Sequence, residues 1–273
     1  MENLCLIADS GSTKTDWVLY QGTHRIARRK TRGINPFMLD ASQIEQSVRD
    51  ELCTDVSFNA VSEIRFYGAG CRGEQCQVVE DALRKVWPDV STVVVQSDLV
   101  GAARALYPDS DGIACILGTG SNSGLYLQGE LVDNVSPLGF ILGDEGSGAV
   151  LGRRLLGDIL KKQLPESVQQ AFRQSFTLTP DEIIRKVYRE PMPNRFLASF
   201  APFIHSQRAV PEVHRFLVDE FSRFFQRNIA LYHRSDLPVS FVGSVAFYFA
   251  DELKEAAQLN GFQIGNIKRE PLD

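Results

Sequence analysis

The chain begins twice. A short apolar strand, Leu4–Ala8, runs into a Gly/Ser/Thr turn and a hairpin at Gln21-Gly22. From Asp111-Gly112 the same order restarts, with a strand at Ile113–Leu117, the turn Gly118-Thr119-Gly120-Ser121 and a hairpin at Gln128-Gly129. Gly11, Gln21 and Gly22 recur as Gly118, Gln128 and Gly129 at one common offset. A duplicated unit of this kind restricts the chain to two related α/β domains, expected over 1–110 and 111–273. The length, 273 residues, suits two modest domains.

Periodicity fills in the rest. In the first half, Trp17–Tyr20 and Arg25–Arg29 flank the hairpin, Ile64–Tyr67 and Thr92–Val95 read as strands, and Ser42–Cys53, Gln75–Val86 and Leu99–Leu106 as helices. In the second, Leu125–Leu127 and Leu131–Asn134 flank the hairpin, and Val239–Val242 and Phe262–Ile264 read as strands. Helices are expected at Glu145–Leu160, Pro180–Arg189, Val210–Tyr232 and Val245–Gln258. No linker or low-complexity tract separates the halves, so packing around a cleft is expected.

Composition excludes several classes. At 44% hydrophobic and 23% charged, the chain is neither disordered nor collagen-like. A net charge of −5 argues against a nucleic-acid binder working through bulk charge. Five thinly spread cysteines, an odd number, fit a reduced, cytoplasmic protein. The N-terminus has no basic region, so it reads as a strand and not a signal peptide. No apolar run approaches the ~18 residues of a membrane span. Five basic residues in Arg25–Arg32 fit a solvated hairpin edge. Cys71 and Cys76 lack a second pair, the four histidines show no ligand or triad spacing, and no GxSxG is present, which disfavours a metal cluster or a serine hydrolase.

Five motifs remain. Asp9-Ser10-Gly11-Ser12-Thr13-Lys14-Thr15-Asp16 and Leu117-Gly118-Thr119-Gly120-Ser121-Asn122-Ser123-Gly124 each follow a strand. There glycine and hydroxyl residues let backbone N–H groups approach an anion. Either alone reads equally as a hairpin turn; the pair, at matched positions, favours a polyphosphate clamp. Asp98 in Ser97-Asp98-Leu99 stands where a strand meets a helix, a place for an N-cap as well as for a catalytic acid or base. Gly143-Asp144-Glu145-Gly146-Ser147 opens a helix and reads as a cap or as a loop binding polyol hydroxyls. Gly243-Ser244 reads as a packing glycine or as a surface for a flat base.

Taken together, these motifs resemble the actin-like ATPase and sugar-kinase superfamily over nearly the whole chain. Within it, the chain most resembles the N-acetylglucosamine kinase family, grouped with the BadF/BadG-type ATPases. The resemblance implies duplicated ribonuclease H-like domains with a cleft between them, and ATP with Mg2+. It implies nucleotide contacts at Asp9, Gly11, Ser12, Thr13, Lys14, Thr15, Gly118, Thr119, Gly120, Gly243 and Ser244, with Asp9 toward the metal. Asp98 would be the catalytic base, and Asn35, Asp98, Ser121, Asn122, Asp144 and Glu145 the sugar contacts. Phe37 stands near a position that is tryptophan in some relatives, and the cysteine clusters of the zinc-binding repressor/kinases and the iron–sulfur activators are missing. A closing helix that relatives carry after the equivalent of Pro271-Leu272-Asp273 is expected to be absent or short. The implied activity is phosphorylation of N-acetylglucosamine or a related amino sugar; an ATPase driving a partner protein, or a non-catalytic sugar or nucleotide sensor, are the alternatives. A sugar and ATP are the expected partners, without nucleic acid or membrane, and a homodimer is expected by analogy.

Overall fold

The computed structural model describes residues 4–11 and 13–272. Ser12 of the first glycine motif and Asp273 of the C-terminus lie outside the described residues. The chain divides into two compact units, the first running to Ala105 and the second from Leu106 to Pro271.

The first unit contains β1 (Leu4–Ser10), β2 (Lys14–Gln21), β3 (His24–Arg32), α1 (Ala41–Glu51), β4 (Glu63–Gly68), α2 (Glu74–Val86), β5 (Thr92–Ser97) and most of α3 (Asp98–Leu106). Its sheet runs β3-β2-β1-β4-β5. β2 is antiparallel to both β1 and β3, while β4 and β5 continue parallel to β1. Trp17, Phe66, Ile44, Val48 and Leu83 are buried in one cluster between this sheet and helices α1 and α2. Those helices are amphipathic, and α1 starts on a full capping box between Asp40 and Gln43. The basic run falls on the outer strand β3, where Arg28 forks onto buried Asp16 at 2.5 and 3.0 Å.

The second unit contains β6 (Gly112–Leu117), β7 (Ser121–Leu127), β8 (Glu130–Asp133), α4 (Gly139–Leu142), α5 (Gly148–Leu160), α6 (Glu166–Ser175), α7 (Pro180–Tyr188), α8 (Pro193–Ala198), α9 (Ala201–Gln207), α10 (Pro211–Arg227), β9 (Val239–Val242), α11 (Ser244–Tyr248), α12 (Ala250–Leu259) and β10 (Ile264–Lys268). Its sheet order, β10-β9-β6-β7-β8, repeats the first when read from the hairpin edge, with the same parallel and antiparallel pairings. The hairpins even bulge at matching places, Leu19/Tyr20 and Leu125/Tyr126. Seven helices intervene between β8 and β9, and their phenylalanines, Phe200, Phe221, Phe224 and Phe225 among them, fill the core.

Several elements differ from the periodicity reading. The helix expected from Glu145 begins at Gly148, because Asp144 and Gly146 have φ of 54° and 72°, which no α-helix accommodates. Ser147 caps it, accepting the Val150 N–H at 3.2 Å. The helix expected to Tyr232 ends at Arg227, where Asn228 turns its amide back onto the Phe224 carbonyl. A short 3₁₀ turn, Ile229–Tyr232, follows. The helix expected over 245–258 is two, broken at Phe249 (φ −107°, ψ 32°). The last strand is Ile264–Lys268 instead of Phe262–Ile264; its pairing with β9 is irregular between Ile264 and Ile267, so no clean alternation marks it. No helix among the described residues is long and apolar enough to cross a membrane.

Candidate functional site

In the first unit the parallel strands align their carboxyl ends, the edge where open α/β sheets hold ligands. Ser10 pairs with Gly68 and Gly68 with Ser97, forming one row. Asp9 ends β1 half-buried, and Asp98 opens α3 beyond β5. Capping of α3 falls to Ser97, whose hydroxyl accepts the Val100 N–H at 3.4 Å. The Asp98 carboxylate instead takes the adjacent Leu99 N–H at 2.9 Å. Desolvation pushes the Asp98 pKa up, opposed by that N–H and by the charge of Arg72. A base raised in this way is held nearer to neutrality.

The first glycine loop is tied to the segment carrying Asn35. Buried Ser10 shares a 2.7 Å hydrogen bond with Thr15 and exchanges bonds of 3.0 Å with both the carbonyl and the N–H of Ile34. Thr15 also donates to the Arg32 carbonyl. Its hydroxyl therefore serves the fold, whereas Thr13 and Lys14 are exposed. Gly11 donates to the Lys14 carbonyl at 3.0 Å. Asn35 Oδ1 accepts the Phe37 N–H at 3.0 Å, and the same oxygen lies where a Cβ on Gly70 would stand, 2.5 Å away.

In the second unit the other glycine loop joins β6 to β7. Its carbonyls cap α5: Gly148 donates to Gly118 at 2.8 Å and Ala149 to Thr119 at 3.1 Å. Gly243 closes the far side. Its φ is +124°, and a Cβ there would lie 2.2 Å from the Leu117 carbonyl oxygen, so no other residue fits. Between these parts lies a cavity of about 460 Å³, within the range of roughly 300–1,000 Å³ usual for small-molecule sites. Gly118, Thr119, Gly148, Ser244 and Val245 line it, as do Ala198, Ser199, Pro202, His205 and Tyr248. The last five were not foreseen. Helices α8 and α9 are short and carry prolines in their first two positions, Pro193 and Pro202, which in sequence read as breakers.

Asp144 reaches back to the same loop. Its Oδ2 would stand 3.2 Å from a Cβ on Gly120. Burial, with Glu145 beside it, raises its pKa to about 6. Glu145 is buried and turned the other way, paired with Arg227 and 3.3 Å from Asn228 Nδ2. Buried Glu220 accepts the Gly146 N–H at 3.3 Å and pairs with Arg154. These two carboxylates fasten the loop to α10 and α5, a role with no local sequence signal. Asn122 is also buried; its Oδ1 accepts from Ser123 N–H and from Asn134 Nδ2 at 2.9 Å. Among the described residues no group of three or more His, Cys, Asp and Glu is placed to hold a metal.

No family model matches the chain, and no curated protein matches it. Among solved structures it is similar to the "putative N-acetylglucosamine kinase" of Porphyromonas gingivalis, 46% identical over 98% of this chain and 95% of that one, with a TM-score of 0.96. The protein of the same description from Chromobacterium violaceum is 19% identical, over 97% and 94% of the two chains, with a TM-score of 0.67. A ROK hexokinase from Thermus thermophilus is 15% identical, over 97% and 92%, with a TM-score of 0.50. The last two share the fold alone.

Proposed function

Because the chain belongs to the N-acetylglucosamine kinase family of the actin-like ATPase and sugar-kinase superfamily, we propose that it transfers the γ-phosphoryl group of ATP to an amino sugar, with N-acetylglucosamine the first candidate. The observation that carries this reading is the second unit's cavity. Two glycine turns and the start of α5 frame it, and the half-buried carboxylate of Asp144 lies against one of those turns.

In this reading Gly118, Thr119 and Gly120 present backbone N–H and hydroxyl groups to phosphate oxygens. Gly243 and Ser244 give the nucleoside a flat backbone surface, with His205 and Tyr248 beside it. Gly11, Ser12, Thr13 and Lys14 are the first glycine loop's phosphate contacts, while Thr15 acts through Ser10 to set that loop's shape. Asn35, Ser121, Asn122 and Asp144 hold sugar hydroxyls; Glu145 acts through Arg227 to set the Asp144 loop. Asp98 accepts the proton of the attacking hydroxyl. Asp9 is a single half-buried carboxylate at a strand end, a donor set that fits Mg2+ held mostly by nucleotide phosphates and water. When bound, the ion neutralises phosphate charge. Phosphoryl transfer needs little beyond such positioning and neutralisation.

The test is ADP release from Mg-ATP with the full chain, with and without a panel of amino sugars and plain hexoses. A rate that rises with N-acetylglucosamine or a related amino sugar, with the sugar phosphate formed in step with ADP, supports the proposal. A rate indifferent to every sugar overturns it in favour of an ATPase.

A further inference from the structure

Behind the Asp144 loop, in the second unit, is a second cavity of about 350 Å³. Its walls carry four arginines, Arg153, Arg154, Arg223 and Arg227, against two carboxylates, Glu145 and Glu220. The local balance is thus two positive charges in excess. Glu145 is held by Arg227, and Glu220 by Arg154 with Arg223 4.0 Å away. Arg153 spends one Nη on the carbonyls of Phe140 and Ile141. A guanidinium carries five N–H donors, so most of the donors in this cavity have no partner among the described residues. Arg223 and Arg227 are also half-exposed, at 57% and 54% of their side-chain surface.

We propose that this cavity is a binding site for a phosphomonoester dianion, separate from the nucleotide cavity. Forked guanidinium groups match phosphate oxygens in geometry, and a phosphate ester carries close to two negative charges near neutral pH, equal to the excess here. Exposed Ile141 and Leu142 stand at the same cavity and give the carbon skeleton of an organic phosphate an apolar wall. A bound dianion would draw together Arg153, which holds the α4 turn, and Arg223 on α10. Gly143 and Glu145, on either side of Asp144, are part of the same wall, so occupancy tightens the Asp144 loop. That last consequence rests on the kinase reading; the binding itself does not.

Calorimetric titration of the full chain with inorganic phosphate and with N-acetylglucosamine 6-phosphate tests the site, with Arg153→Ala, Arg223→Ala and Arg223→Glu as variants. Saturable binding is expected, weakened roughly tenfold or more by Arg223→Glu, with the ATP affinity of that variant unchanged. Tighter binding of the sugar phosphate, weakened by Arg223→Glu as inorganic phosphate is, identifies an organic phosphate as the ligand; equal and equally weakened binding identifies free phosphate, and both support the site. No saturable binding at concentrations on the order of 10 mM overturns the proposal. So does binding undiminished in Arg153→Ala and Arg223→Ala, which would place the anion on the glycine loops. An amino-sugar kinase assay run in parallel fails or succeeds independently of these titrations.

Discussion

The carboxylate of Asp144 lies against Gly120, its Oδ2 3.2 Å from where a Cβ there would stand, joining the loop assigned to the sugar to the loop assigned to the nucleotide. One acid thus senses both. Its environment favours the neutral form, since burial holds its pKa near 6, although its proposed work is to accept hydroxyl protons in hydrogen bonds as an anion.

That conflict sets a stability prediction. The folded-state pKa of Asp144 lies above its ordinary value, so between the two the folded chain binds more protons than the unfolded one. Stability therefore falls as pH rises from about 4 to about 6 and remains lower above. Asp144→Asn keeps the size of the side chain but removes the charge. Thermal melts of the two proteins should coincide near pH 4, with the variant the more stable at pH 8 and its KM for sugar raised. Equal melts at both values would show that the charge costs the fold nothing.

Asp98→Asn should leave the ATP affinity intact and lower kcat by roughly 10²–10⁴. Because burial raises the Asp98 pKa, the acid limb of the wild-type pH–rate profile should fall at higher pH than an ordinary carboxylate would give, with activity retained above it. Near-wild-type turnover in the variant would remove Asp98 from the role of base.

Gly243→Ala should destabilise the second unit. The backbone conformation alone costs about 1–3 kcal/mol for a residue with a side chain, and the added carbon meets the Leu117 carbonyl. Differential scanning calorimetry should show a melting temperature lower by several degrees, and titration a loss of ATP binding. A variant melting like the wild type would mean that this turn relaxes freely.

Glu220→Ala should cost about 1–3 kcal/mol, the usual penalty for leaving a buried N–H without its acceptor. The N–H so freed is that of Gly146, so KM for sugar should rise more than KM for ATP. Urea unfolding and steady-state kinetics measure the two effects, and an unchanged KM for sugar would show that the fastening does not reach Asp144.

What could be read from the sequence was what is local. The glycine turns at Gly11 and Gly118 follow their strands directly, and the repeat between them foretells two sheets of one order. Asp98 is legible as a residue at a strand–helix junction, but Ser97 takes the capping duty because its hydroxyl is the one that reaches the Val100 N–H. Glu145 reads as a site acid by position alone. Its partner Arg227 is 82 residues away, so its turn away from Asp144 has no sequence signal. The breaks at Asn228 and Phe249 interrupt continuous apolar patterns through backbone angles that composition does not encode.

The seven helices inserted between β8 and β9 also set a schedule for synthesis. Strand β6 is buried along nearly its whole length, yet its parallel neighbour β9 is encoded more than a hundred residues later. At roughly 5–20 residues per second, a ribosome needs on the order of ten seconds to deliver it. The first unit has all five of its strands by then, whereas β6 waits with only the β7 hairpin beside it. Nascent chains of this protein should therefore depend on chaperone capacity through the second unit, and a translational pause after β8 should lower the soluble yield without touching any residue of either cavity.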